Sequence, residues 1–131
     1  MIYLLDVNAL IAFGFQNHEF HARVVSWSRS SKEASLATCP ITELGFVRIL
    51  AHAPTYALSV AEARELLLGL KAARSWSLTF ISDRHDISHL PRWVRVPKQI
   101  TDGHLTRLAA ANGATLATLD ENIPGSYVIP E

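Results

Sequence analysis

Four acidic side chains stand where phosphate chemistry could be built: Asp6, Glu43, Asp102 and Asp120. Asp6 directly follows the apolar run Ile2-Tyr3-Leu4-Leu5, and Asp120 follows Thr115-Leu116-Ala117-Thr118-Leu119. Both runs read as strands, and in open parallel sheets ligands gather beyond the carboxyl ends of the strands. Glu43 comes three residues after Pro40, and Asp102 directly after Thr101, a candidate N-cap; helix starts that follow strands open onto the same edge. Four converging carboxylates would raise one another's pKa values, a cost that a divalent cation offsets. With no Cys or His at these positions, an all-oxygen pocket suits Mg²⁺ or Mn²⁺ better than zinc. Such ions hold phosphate oxygens, acidify a bound water and stabilise charge on the attacking and leaving oxygens, which is the chemistry of phosphodiester hydrolysis. Each acid also has a plain structural use. An acid in a helix's first turn complements the macrodipole by ~0.3–1 kcal/mol, Asp6 and Asp120 could be solvated turn residues, and Glu43 a surface charge. The functional reading therefore rests on the four together.

The elements that would position these acids alternate along the chain. Strand-like runs occur at Ile2 to Leu5, Ser35 to Thr38, Ser77 to Ile81, Thr115 to Leu119 and Tyr127 to Ile129. Between them lie helical stretches, of which the clearest opens at Ser59 with Glu62 three residues on. That pair is a capping box, and Val60, Ala63, Leu66, Leu67 and Leu70 form the apolar face behind it. A second helix begins after Thr101, with Leu105, Leu108 and Ala109 on one side and Asn112-Gly113 as its stop. Pro40 suits the first turn of a third. Phe20, Val24 and Trp27 fit a further helix whose boundary is blurred by Ser28 to Ser31. Strands separated by helices predict an α/β fold, a parallel sheet of four to five strands sandwiched between helices.

Length and composition are consistent with that architecture. At 131 residues the chain fits one domain, residues 1–131, with a core of its own. It is 49% hydrophobic and 18% charged, too apolar for a disordered chain. The single cysteine, Cys39, cannot form an internal disulfide, has no positioned base and reads as a small buried residue, which suggests a reducing, cytoplasmic setting. The first residues lack a basic leader, and no apolar stretch approaches the roughly 18 residues of a membrane span. Twelve Lys and Arg balance twelve Asp and Glu, so contact with a nucleic acid must rely on a local patch.

The blocks LLDVNAL at 4–10, TELGFVRIL at 42–50 and ITDGHLTRLAAANGATLATLD at 100–120 resemble the PIN-domain ribonucleases, most closely the VapC-type toxins of bacterial type II toxin–antitoxin pairs. The resemblance covers nearly the whole chain, with the motifs in the family's order. It implies a PIN-like fold and a Mg²⁺- or Mn²⁺-dependent endoribonuclease in which Asp6, Glu43, Asp102 and Asp120 are the acidic, metal-binding positions. Asn8 and Thr118, close to two of those acids, would orient them through hydrogen bonds. It further implies a homodimer, a small VapB-type antitoxin that covers the site, and an RNA substrate such as tRNA or rRNA. Gly103 departs from the pattern, since relatives commonly carry a larger residue there; a glycine admits close approach of a backbone or of substrate.

Between Arg84 and Lys98 the chain carries Arg84, Arg92, Arg95 and Lys98 against Asp86 alone, a local balance of +3, with Trp93 among them. Cations interleaved with an aromatic suit phosphate contacts and base stacking on single-stranded RNA; a solvated loop with Trp93 in the core is the structural alternative. Arg48 shares a predicted helix with Glu43 and could reach a phosphate or pair with an acid. His85 and His89 have the spacing of a helical zinc pair, but Pro91 limits any helix there and no third ligand is evident, so surface placement is expected. Two other functions fit parts of the pattern. A catalytically silent PIN-like module that binds RNA or protein would have no need of four clustered acids. A phosphatase of the haloacid dehalogenase type needs a second acid two positions after Asp6, where this chain has Asn8.

Overall fold

A computed structural model describes residues 1–30 and 33–131. In chain order its elements are β1 (Ile2–Leu5), α1 (Val7–Gly14), α2 (His21–Ser30), β2 (Ser35–Thr38), α3 (Pro40–His52), α4 (Val60–Ala72), β3 (Leu78–Phe80), α5 (Ile100–Ala111), β4 (Ala114–Thr118) and β5 (Tyr127–Val128). The five strands form one sheet in the order β3-β2-β1-β4-β5, with every neighbouring pair parallel. β1 is central: Leu4 registers with Ala37 on one side and Leu116 on the other.

Alternation along the strands sends neighbouring side chains to opposite faces. Tyr3, Leu5, Leu36 and Ala117 join Phe13, Trp27, Phe46, Leu50 and Leu67 in a core built with α1, α2, α3 and α4. Leu4, Ala37 and Leu116 join Leu105, Leu108 and Ala109 of α5 in a second core on the other face. The expected sandwich of a parallel sheet between helices is therefore present, with four helices on one side and one on the other.

The local signals explain most of the boundaries. Ser59 Oγ accepts from Glu62 N at 3.0 Å while Glu62 Oε1 accepts from Ser59 N at 2.9 Å, so the capping box opens α4 as expected. Ala63 and Leu67 are buried and Leu66 and Leu70 half-buried, but Val60 is exposed. At 100° per residue, Val60 lies about 60° off a face centred on Ala63 and so falls at its rim. Pro40 is at the first position of α3, and Thr42 Oγ1 accepts from Cys39 N at 3.0 Å, closing the start of that helix. Cys39 is fully buried. α2 starts after Phe20, which is exposed, whereas Val24 and Trp27 are buried; of the Ser-rich end, Ser31 lies outside the described residues. Thr101 is not the cap of α5, because the helix already includes Ile100 and its N-cap is Gln99. The short turn Pro97–Gln99 runs straight into the helix, moving its start upstream. Gly113, at φ +66, supplies the left-handed residue after α5.

Strand ends shift by a residue or two from the expected bounds. β3 is shorter than Ser77 to Ile81, although Ile81 N still donates to Thr38 O at 2.8 Å. β4 begins at Ala114 and ends at Thr118. Ile129 N donates to Thr118 O at 2.9 Å just beyond β5. The element that periodicity did not mark is α1. Five consecutive residues, Ala9 to Phe13, are buried, so the helix has no polar face to give it a 3.6-residue rhythm.

The close approach that Gly103 permits is made by the loop before α5. A Cβ there would collide with Val94 Cγ2 and stand 3.2 Å from Pro91 Cδ. Gly103→Ala should therefore lose stability: overpacking costs about 1–3 kcal/mol, against a gain of about 1 kcal/mol in helix propensity. Equilibrium urea unfolding should show a lower midpoint than wild type, and a higher one would mean that this loop yields freely.

Candidate active site

Asp6 leaves β1 and starts α1 in the same step. It is the N-cap of α1, and its Oδ1 accepts from Val7 N at 2.8 Å. The other oxygen, Oδ2, accepts from Thr118 Oγ1 at 2.8 Å, across the β1–β4 pairing. Because that hydroxyl has one proton and spends it on Asp6, its lone pairs receive Asp120 N at 3.1 Å and Asn8 Nδ2 at 3.2 Å. Asn8 Oδ1 in turn accepts from Leu119 N at 3.1 Å. Thr118 and Asn8 thus tie the ends of β1 and β4 together and fix both Asp6 and the backbone that carries Asp120.

Asp102, in the first turn of α5, faces the same cavity. The cavity holds about 460 Å³ and is lined by Asp6, Asp102 and Asp120 with Asn8, Arg48 and His18, among others. Burial is the largest influence on Asp6, 7% exposed, and raises its pKa above the ordinary carboxylate value; the Thr118 and Val7 hydrogen bonds oppose it and the Asp120 charge adds to it. Asp102 is also raised, first by burial and then by the charges of Asp6 and Asp120. Three aspartates thus repel one another across one concave site, an arrangement that disfavours full ionisation without a cation.

Glu43 has two partners of its own. Its Oε2 accepts from Thr38 Oγ1 at 2.6 Å and from Lys71 Nζ, on α4, at 2.6 Å. It does not line the aspartate cavity. The four acids of the sequence reading are thus three that share a cavity and one that is paired at the end of the neighbouring strand.

The donor chemistry fits a hard divalent cation: three carboxylates, no sulfur, and like charges that a cation would relieve. Among the described residues, no three Asp, Glu, His or Cys side chains already surround one point closely enough to ligate an ion. An ion would have to draw the carboxylates inward.

Arg48 is exposed at the rim of the cavity. Arg84, Arg92, Arg95 and Lys98 are exposed and line no part of it. His85 and His89 are not paired along a helix; their rings stack at 4.1 Å, with only the turn Ile87–His89 between them. His104 Nε2 meets Asp83 Oδ2 at 2.5 Å. His18 is the titratable lining residue with a shifted pKa that sequence reasoning missed. Burial lowers its pKa, and its Nδ1 accepts from Phe20 N at 3.1 Å, which places the proton of the neutral ring on Nε2. No motif marked it, because it comes from the loop after α1, whose helical nature was itself hidden.

No family model matches the chain. Curated relatives do. The chain is 37% identical over 125 residues to Ribonuclease VapC38 of Mycobacterium tuberculosis, covering 92% of this chain and 86% of that protein. The chain belongs to the VapC family of ribonucleases. Ribonuclease VapC44 of the same organism is 36% identical, again over 125 residues, with 92% and 87% covered. Solved VapC structures share the PIN-like α/β fold. The crystal structure of VapC20 from Mycobacterium tuberculosis, a Sarcin–Ricin loop cleaving toxin, superposes with a TM-score of 0.66 at 11% identity, covering 98% of this chain and 99% of that one. VapBC2 from Rickettsia felis, bound to a DNA fragment from its promoter, gives 0.60 at 15% identity over 97% and 96%. No helix among the described residues of this VapC chain is long and apolar enough to cross a membrane.

Proposed function

We propose that this VapC chain, as a single PIN-like domain over residues 1–131, is a divalent-metal-dependent endoribonuclease and the toxin of a toxin–antitoxin pair. The observation that carries this reading is the shared cavity of Asp6, Asp102 and Asp120, in which burial and mutual repulsion raise the pKa of Asp6 and Asp102. These three would hold Mg²⁺ or Mn²⁺, which supplies electrostatic stabilisation of the phosphate and a more acidic water when bound. Glu43 is the fourth carboxylate; Thr38 and Lys71 both engage its Oε2, which leaves Oε1 to turn toward the ion. Thr118 and Asn8 keep Asp6 and the Asp120 backbone in place. Arg48 and the Nε2–H of His18 are among the donors on the cavity's wall that can meet phosphate oxygens. Arg84, Arg92, Arg95 and Lys98 lie farther out as contacts to the RNA strand.

The partners in this reading are a tRNA or rRNA substrate, a VapB-type antitoxin that covers the cavity, and a second copy of the chain, all in the cytoplasm. The antitoxin would present a cation to the aspartates, since a positive side chain relieves the same repulsion as the ion. Purified protein should cleave total RNA with Mg²⁺ or Mn²⁺, stop with EDTA and resume when either ion is restored in excess. Cleavage that continues in EDTA would overturn the metal requirement. RNA retention without turnover across a broad set of divalent ions would instead favour a silent binding module.

A further inference from the structure

A second cavity is walled by α5 and by the turn after β4, the two segments that carry Asp102 and Asp120. It holds about 770 Å³, and Arg92, Trp93, Thr106, Arg107, Pro124 and Gly125 are among its walls. No carboxylate among the described residues lines it. Both of its walls begin at an acid of the proposed active site. On α5, Asp102, Thr106 and Ala110 follow at intervals of four and so lie on one stripe of the helix, and Thr106 Oγ1 donates to Asp102 O at 2.7 Å. Opposite, the turn that starts at Asp120 runs through Pro124 to Gly125. Gly125 has φ +77, and a Cβ there would be 3.4 Å from Thr106 Cγ2, so this turn lies close against α5.

The floor and rim of this groove have the chemistry of a nucleic-acid strand site. Trp93 is half-buried against the core cluster that contains Leu105 and Leu108, which seats its indole while leaving part of it open. Arg92 and Arg107 are both exposed. Arg107 is five residues beyond Asp102, about 7.5 Å along the helix axis.

We propose that this groove binds single-stranded RNA next to the bond being cut, with a base stacked on Trp93 and the adjoining phosphates held by Arg92 and Arg107. The proposal rests on the ribonuclease reading and gives its substrate a direction across the surface. Aromatic faces accept any base, and guanidinium groups grip phosphate oxygens in pairs. Of the basic residues between 84 and 98, the groove selects Arg92, and it adds Arg107 from a different element.

The test uses a short fluorescein-labelled oligoribonucleotide of mixed sequence and the full-length Asp6→Asn protein as a cleavage-silent parent. Fluorescence anisotropy should show the Arg92→Gln, Arg107→Gln double variant binding at least about tenfold more weakly. The slope of log affinity against log salt should fall by about 1.4, two phosphate contacts at about 0.7 each on a single strand. RNA should quench tryptophan fluorescence in the parent and quench it less in Trp93→Phe, while Arg29→Gln, at the opposite end of the sheet, should bind like the parent. A parent that does not bind the oligonucleotide, a double variant with unchanged affinity and slope, or an equal loss from Arg29→Gln would each overturn the groove assignment. Cleavage of total RNA with Asp6 intact separates the two readings. If wild type cuts nothing with either ion, the nuclease reading fails and the anisotropy still decides the groove. If wild type and double variant cut with the same kcat/KM, the groove alone fails.

Discussion

Asp6→Asn should abolish RNA cleavage and, in metal-free buffer, raise the melting temperature. The two effects share a cause. Asp6 is almost fully buried beside Asp120, so its ionised form is held at a cost in the folded chain. A folded-state pKa above the unfolded one means that the native chain binds the extra proton between the two values, and stability contributed by this group falls as pH rises through that window. Asp102 shifts in the same direction. Metal-free protein should therefore lose stability as pH rises from the ordinary carboxylate range through the raised pKa values, and Asp6→Asn should flatten that slope. The amide retains an oxygen for Val7 N; its NH2 meets the Thr118 hydroxyl oxygen if Thr118 releases Asn8 Nδ2 and turns its own proton to Asn8 Oδ1, 3.3 Å away, so the end of β1 stays tied through an exchanged set of bonds. Activity has no such compensation. Groups that only orient a metal ligand are worth about 10–100-fold, and loss of a ligand itself should exceed about 100-fold. Thermal melts with and without Mn²⁺, run beside the cleavage assay, read both effects. An Asp6→Asn protein that melts lower in metal-free buffer would contradict the electrostatic account, and one that cuts at the wild-type rate would remove Asp6 from the site.

Phe46→Ala should cost about 3–5 kcal/mol, the range for deleting a large buried aromatic. Phe46 is fully buried and belongs to the core that joins α1, α3 and α4 to the sheet. A Cβ built on Gly14 would be 3.1 Å from Phe46 Cε2, so the ring presses directly against the end of α1. Removing it leaves a cavity between the helix that Asp6 caps and the helix that carries Glu43 and Arg48. Urea denaturation followed by far-ultraviolet circular dichroism should show the loss, and a change under about 1 kcal/mol would mean that the interface closes without the ring. The midpoint should shift with little change in the slope, because the surface exposed on unfolding is nearly the same.

How far the sequence disclosed the site differs from residue to residue. Asp6 and Asp120 were legible because a strand end is a positional signal, and the structure places both at the carboxyl edge of adjacent strands. Thr118 and Asn8 lay within motifs next to them, and the hydrogen-bond network accounts for both. The pairing of Glu43 with Lys71 was not legible, because the two lie 28 residues apart and meet across the α3–α4 packing. Likewise α1 escaped periodicity because it is buried all round, and that concealed the loop that brings His18 to the cavity. Gly103 was marked as a site of close approach, but which segment approaches is a tertiary fact. Local chemistry writes itself into neighbouring residues, whereas pairings between elements do not.

The position of β1 between β2 and β4 bears on how such a chain is made. Synthesis proceeds from the N-terminus, so β1, β2 and the four helices on one face can emerge while one edge of β1 still waits for residues 114–118. Until then Asp6 has neither the Thr118 hydroxyl nor Asp120, which follows β4. A partly synthesised chain therefore lacks both the hydroxyl that holds Asp6 and one of the three carboxylates that share its cavity, and both arrive only with the residues from β4 onward.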